Sequence, residues 1–189
     1  MRNILLACMF ILALQGCSSK KAAPQKNQDP TMKTIASKHL ASEEESSYFT
    51  EIIFRPGSSK LSPKDLKAID FVHQDAKSKG KIDKIQVITW GDKEYPDAKD
   101  KKLSNDQQKL VDQRNKSVED YLNDKVEDAD VELVSMAQRP GAVESLLSTS
   151  DARLKKSLET SGIPEKGRPS AAEPKAGRAI VIFNLEKED

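Results

Sequence analysis

VITWGD, residues 87–92, runs through a long charged loop into QQKLVDQRNKSVEDYL, residues 107–122, and the chain is organised around this strand, loop and helix. In the helix, Leu110, Val111, Val118, Tyr121 and Leu122 gather on one side of a 3.6-residue turn. Arg114 follows Val111 by three residues and precedes Val118 by four, so it lies on or beside that apolar stripe, where a charge needs a partner. Asp92, at the end of the strand against which the helix packs, is the obvious one. An aspartate facing an arginine across a strand-to-helix crevice can hold a zwitterion: the carboxylate takes an ammonium and the planar guanidinium takes a carboxylate. The same two charges also fit a structural ion pair, which is the commoner arrangement.

Working outward, KIQVITW, residues 84–90, places Ile85, Val87 and Thr89 on one face and Gln86, Ile88 and Trp90 on the other, which suits a central strand. Upstream, YFTEIIF, residues 48–54, is dense in β-branched and aromatic residues and reads as a strand stopped by Pro56 and Gly57. A helix follows, with Ser62 as N-cap, Pro63 in the first turn and Asp65 completing a capping box. Leu66, Ile69, Val72 and Ala76 form its buried stripe, and Gly80 suits its C-terminal cap. His39 and His73 read as a solvated residue and a helix-edge residue.

Downstream of Asp92, DKEYPDAKDKKLSND, residues 92–106, reads as a solvated excursion. Asp92, Glu94, Asp97 and Asp100 lack the spacing and turn glycine of a calcium loop, so no metal is expected. VELVSM, residues 131–136, is a third strand ended by RPG. Leu146, Leu147, Leu154 and Leu158 recur at roughly helical spacing, then a Pro-, Gly- and Ser-rich loop leads to a last strand, RAIVIFNL, residues 178–185. The order βαβαβ(α)β predicts an α/β (α+β) two-layer sandwich, with helices packed on a small mixed sheet.

The 189 residues, 37% hydrophobic and 32% charged, fit one modest domain with polar extensions. A net charge of +1 gives no electrostatic footprint for nucleic acid. Residues 1–16 have a positive start and an apolar run from Ile4 to Leu14, too short and wrongly flanked to span a membrane. With Cys17 they resemble a bacterial lipoprotein signal, Leu14, Gln15, Gly16 and Cys17 standing in the lipobox. That resemblance implies cleavage before Cys17, lipidation of its thiol and new amino terminus, and, because Ser18 and Ser19 follow, anchorage in the outer membrane. Cys8 would leave with the signal, so no disulfide is expected. Residues 17–46 are polar, with Ile35 and Leu40 as their only large aliphatic side chains, and read as a flexible arm of roughly 30 Å r.m.s. reach, with room for a helical turn from Thr34 to Leu40. The folded domain is expected over residues 47–185, with 186–189 a polar tail.

Together these parts resemble the OmpA-like peptidoglycan-binding domain. IIFRPGSSKLSP resembles the family's opening strand and turn, VITWGD its second strand ending in aspartate, LVDQRNKSVEDYL its arginine-bearing helix, and GRAIVIF its closing strand. The resemblance implies that Asp92 and Arg114 hold the diaminopimelate of the peptide stem. The chain departs from the family pattern at Thr89, Trp90 and Gly91, at Asn115, at Ala176 and Gly177, and in a longer loop and an added helix. The expected function is a non-catalytic tether, with lipid in the outer membrane, a domain in the periplasm and peptidoglycan as partner. The alternative is an envelope adaptor that has lost wall binding and meets a protein partner. No nucleophile motif, phosphate loop or dinucleotide glycine pattern points to an enzyme or to a cofactor.

Overall fold

The computed structural model describes residues 31, 33–93, 96, 99–126, 129–141, 150–160 and 177–187. The signal at 1–16, Cys17, residues 18–30 of the arm, Glu94, Asp97, Leu146, Leu147 and Ala176 lie outside the described residues. The elements run α1 (Ile35–Glu43), β1 (Tyr48–Ile53), α2 (Pro63–Lys77), β2 (Ile82–Thr89), α3 (Asn105–Asn123), β3 (Asp130–Ser135), α4 (Ser150–Thr160) and β4 (Arg178–Leu185). Among the described residues no helix is long and apolar enough to cross a membrane.

The strands form one mixed sheet in the order β1-β4-β2-β3. β4 is antiparallel to both β1 and β2, whereas β2 and β3 are parallel. The last strand in the chain thus enters the middle of the sheet, and its continuous apolar run AIVIF is the pattern a strand buried on both faces requires. β2 is the other central strand, as its two apolar faces predict.

Strand alternation divides the interior into two cores. On one face Ile52, Phe54, Ile85, Val87, Ala179, Val181 and Phe183 pack against Ile69, Val72 and Ala76 of α2 and Val118 and Leu122 of α3. On the other, Phe49, Ile88, Trp90, Val134, Ile180 and Ile182 meet Leu40 and Ala41 of α1 and Leu154 of α4. The α2 capping box forms in both directions: the Ser62 N–H donates to Asp65 Oδ2 at 2.7 Å, and the Asp65 N–H donates to Ser62 Oγ at 3.3 Å. Gly80 donates its N–H to the Ala76 carbonyl, but among the described residues the glycines with positive φ are Gly57 and Gly177.

The fold class stands as expected, and two other expectations change. The α/β sandwich of helices on a small sheet forms, and α1 with α4 adds partial cover on the second face. Residues 34–43, expected within a flexible arm, are instead a capped helix in which Leu40 and Ala41 are buried. The reason lies in the sheet rather than in the helix. Face-two residues such as Ile88, Trp90 and Ile180 need an apolar lid, and one leucine and one alanine at the right positions supply part of it. The charged loop is also no free excursion where it is described. The Leu103 N–H donates to the Ala137 carbonyl and the Arg139 N–H to the Lys101 carbonyl, pinning it beside the end of β3.

Candidate functional site

Arg114 is fully buried in the middle of α3, and its guanidinium is shared among four acceptors. Nε donates to the Ser58 carbonyl at 2.9 Å, Nη1 to the Trp90 carbonyl at 2.8 Å, and Nη2 to the Arg55 carbonyl at 3.3 Å and to Asp92 Oδ1 at 2.5 Å. The guanidinium also lies over the Phe54 ring, 4.8 Å from its centroid. One side chain therefore joins the β1–α2 turn, the end of β2 and Asp92. A flat, five-donor cation suits this task, because it can meet carbonyls from two separate segments and a carboxylate at once.

Asp92 sits on the solvent side of the same knot, its side chain 24% exposed. Its Oδ2 accepts the Gly57 N–H at 2.5 Å, and Gly57 holds φ at +67°, a left-handed turn that aims this N–H at the carboxylate. Gln107 in the first turn of α3 fixes the backbone: its Oε1 accepts the N–H groups of Asp92 at 2.7 Å and Lys93 at 3.1 Å. Gly91 makes room for this contact, since a Cβ there would stand 2.6 Å from Gln107 Oε1. Gly177, with φ at +72°, donates its N–H to the Gly91 carbonyl at 2.5 Å. The sequence brings Asp92 and Arg114 together as expected, but it hides the roles of Gln107, Gly57 and Gly177. A glutamine in a polar helix start carries no signal for a contact with backbone fifteen residues earlier.

Burial would raise the Asp92 carboxyl above its ordinary value. The hydrogen bonds from Arg114 and Gly57 and the positive charges of Arg114 and Lys93 outweigh this, so the net displacement is downward. Asp92 is a carboxylate at neutral pH, with an edge that can meet an incoming ammonium.

Two other places draw attention and neither matches this arrangement. A groove of about 290 Å³, lined by His73, Lys77, Lys81, Ile82 and Lys125 among others, opens at the far end of β2 from Asp92. Lys81 and Lys125 in it are already paired, with Glu186 and Asp70 respectively. His39 of α1 has Ser157 Oγ at 3.0 Å and Glu43 Oε1 at 3.8 Å, but both approach Nε2. A nucleophile relay needs the carboxylate on the other ring nitrogen, so these three residues do not form one.

No family model matches the sequence, and no curated protein matches it. Among solved structures, the chain is similar to the OmpA-like domain of FopA1 from Francisella tularensis subsp. tularensis SCHU S4. The two share 14% identity with a TM-score of 0.38, over 74% of this chain and 75% of that one.

Proposed function

We propose that this is a non-catalytic binding domain of the cell envelope, in which Asp92 takes the ammonium of diaminopimelate in a peptidoglycan stem, with Cys17 carrying a lipid anchor in the outer membrane. The observation that carries the reading is the exposed edge of an ionised Asp92, held in place by Arg114 and Gly57 at the end of a central strand. The carboxylate of the same ligand reaches Arg114 by replacing the Arg55 carbonyl on Nη2. That contact, at 3.3 Å, is the longest of the four, and Arg55, Pro56 and Gly57 all lie exposed in a turn. Exchanging one neutral acceptor for a charged one favours the ligand, because charge-assisted hydrogen bonds are about twice as strong as neutral ones.

The burial of Arg114 favours a second reading, in which Asp92 and Arg114 are a structural latch and the domain is an adaptor for an envelope protein. Sedimentation with insoluble peptidoglycan separates the two. The ligand reading expects retention on walls containing diaminopimelate, reduced by Asp92→Ala and by free diaminopimelate, whereas the latch reading expects none. Fatty-acid labelling that is lost in Cys17→Ser tests the anchor. Unlipidated, fully processed protein in the periplasm would remove it from the account.

A further inference from the structure

A second buried ion pair lies on the opposite face of the sheet. Arg178 Nη1 donates to Glu51 Oε1 at 3.0 Å, and the two side chains are 2% and 0% exposed. Glu51 is in β1 and Arg178 opens β4, and the guanidinium is stacked on Trp90, 4.8 Å from its ring. The pair is not fully satisfied: among the described residues, Glu51 Oε2, Arg178 Nε and the Trp90 indole N–H are buried without a hydrogen-bond partner. Hydrophobic residues of similar size are often as stable in such a place, so stability alone is a weak reason for this cluster.

Trp90 supplies a reason. Its ring is on the face of Glu51 and Arg178, its backbone N–H donates to the Arg178 carbonyl at 2.8 Å, and its own carbonyl accepts Nη1 of Arg114 at 2.8 Å. The residue before Arg178 bonds to Gly91, and a Cβ on it would lie 3.8 Å from Asp92 Oδ1. From these contacts we infer that Glu51 and Arg178 are positioning residues for the Asp92–Arg114 crevice, acting through Trp90. Fixing the Arg178 side chain fixes the indole. The indole and the Arg178 backbone then fix the Trp90 peptide, whose carbonyl sets the orientation of the Arg114 guanidinium. Only the consequence for ligand binding rests on the reading of Asp92 and Arg114 as a peptidoglycan site. The mechanical link stands on the geometry alone.

The test follows the side-chain N–H signal of Arg114 Nε by NMR in the chain from residue 18 onward. It compares wild type with Glu51→Gln and with the double variant Glu51→Leu, Arg178→Met, which keeps the volume and removes both buried charges. The inference expects the Arg114 signal to shift and its hydrogen exchange to quicken about tenfold in the double variant, with an unfolding midpoint close to wild type. Glu51→Gln should move the same signal in the same direction. An Arg114 signal unmoved in either folded variant overturns the inference. If that signal moves but wild type never sediments with the wall, the link survives and the ligand reading falls. If wild type sediments with the wall and the signal is unmoved, the reverse holds.

Discussion

Arg114 Nη2 stands 2.5 Å from Asp92 Oδ1, yet only the carboxylate of the pair reaches solvent, its side chain 24% exposed against 0% for the arginine. The arginine is built into the fold and the aspartate is presented by it. The two substitutions should therefore differ in kind. Arg114→Met leaves the carbonyls of Ser58 and Trp90 without this donor and removes the partner of Asp92, and is expected to destabilise by about 3–5 kcal/mol. Asp92→Asn keeps a neutral acceptor near Arg114 and is expected to cost about 1–3 kcal/mol. Urea unfolding of both variants checks the order; equal costs would mean that the carbonyl contacts carry little.

Acid should weaken the same knot. The folded-state pKa of Asp92 lies below its ordinary value, so its stabilising contribution is complete above about pH 3.9 and is lost as pH falls from there through the folded-state value. The stability difference between wild type and Asp92→Asn is expected to hold between pH 5 and 7 and to shrink below about pH 4. Unfolding curves at a series of pH values measure it, and a difference independent of pH down to 3 would contradict the charge-based account.

The order of strands and helices was legible because each element carries its own period. RAIVIFNL and KIQVIT are β-branched runs apolar on both faces, and Ser62, Pro63 and Asp65 mark a helix start that forms as read. Asp92 and Arg114 were legible as a pair because a cation on an apolar stripe needs an anion. Three features were not legible. The packing of α1 depends on a bare sheet face contributed by residues far along the chain. The supporting contacts of Gln107 and Gly57 run between side chains and distant backbone. The depth of Arg114 follows from the β1–α2 turn folding over it, which no local pattern encodes.

Leu40 tests the new boundary of the folded body. It is fully buried against the second face of the sheet, so Leu40→Ala is expected to cost about 2–5 kcal/mol. Deleting residues 34–43 should cost at least as much. Unchanged urea unfolding in both would return this segment to a detached arm.

Asn115 offers the opposite sign. It is buried next to Arg114 in α3, and among the described residues its Oδ1 has no hydrogen-bond partner. Asn115→Ala removes an unsatisfied acceptor and improves helix propensity, so a gain of about 1 kcal/mol is expected. A loss of stability on calorimetry would show that the amide has an energetic role beyond these contacts.

The central claim is that Asp92 receives an ammonium, and the amide of Gly57, which donates to Asp92 Oδ2, is its nearest reporter. The measurement is a titration of the isotopically labelled chain with diaminopimelate, following the Gly57 amide signal in wild type and in Asp92→Asn. A saturable shift of Gly57 in wild type that is absent in Asp92→Asn is the predicted result, with an affinity in the weak range of about millimolar suited to a small ligand. A Gly57 signal that stays fixed in wild type while diaminopimelate is raised well beyond that range would contradict the claim and leave Asp92 and Arg114 as a structural latch.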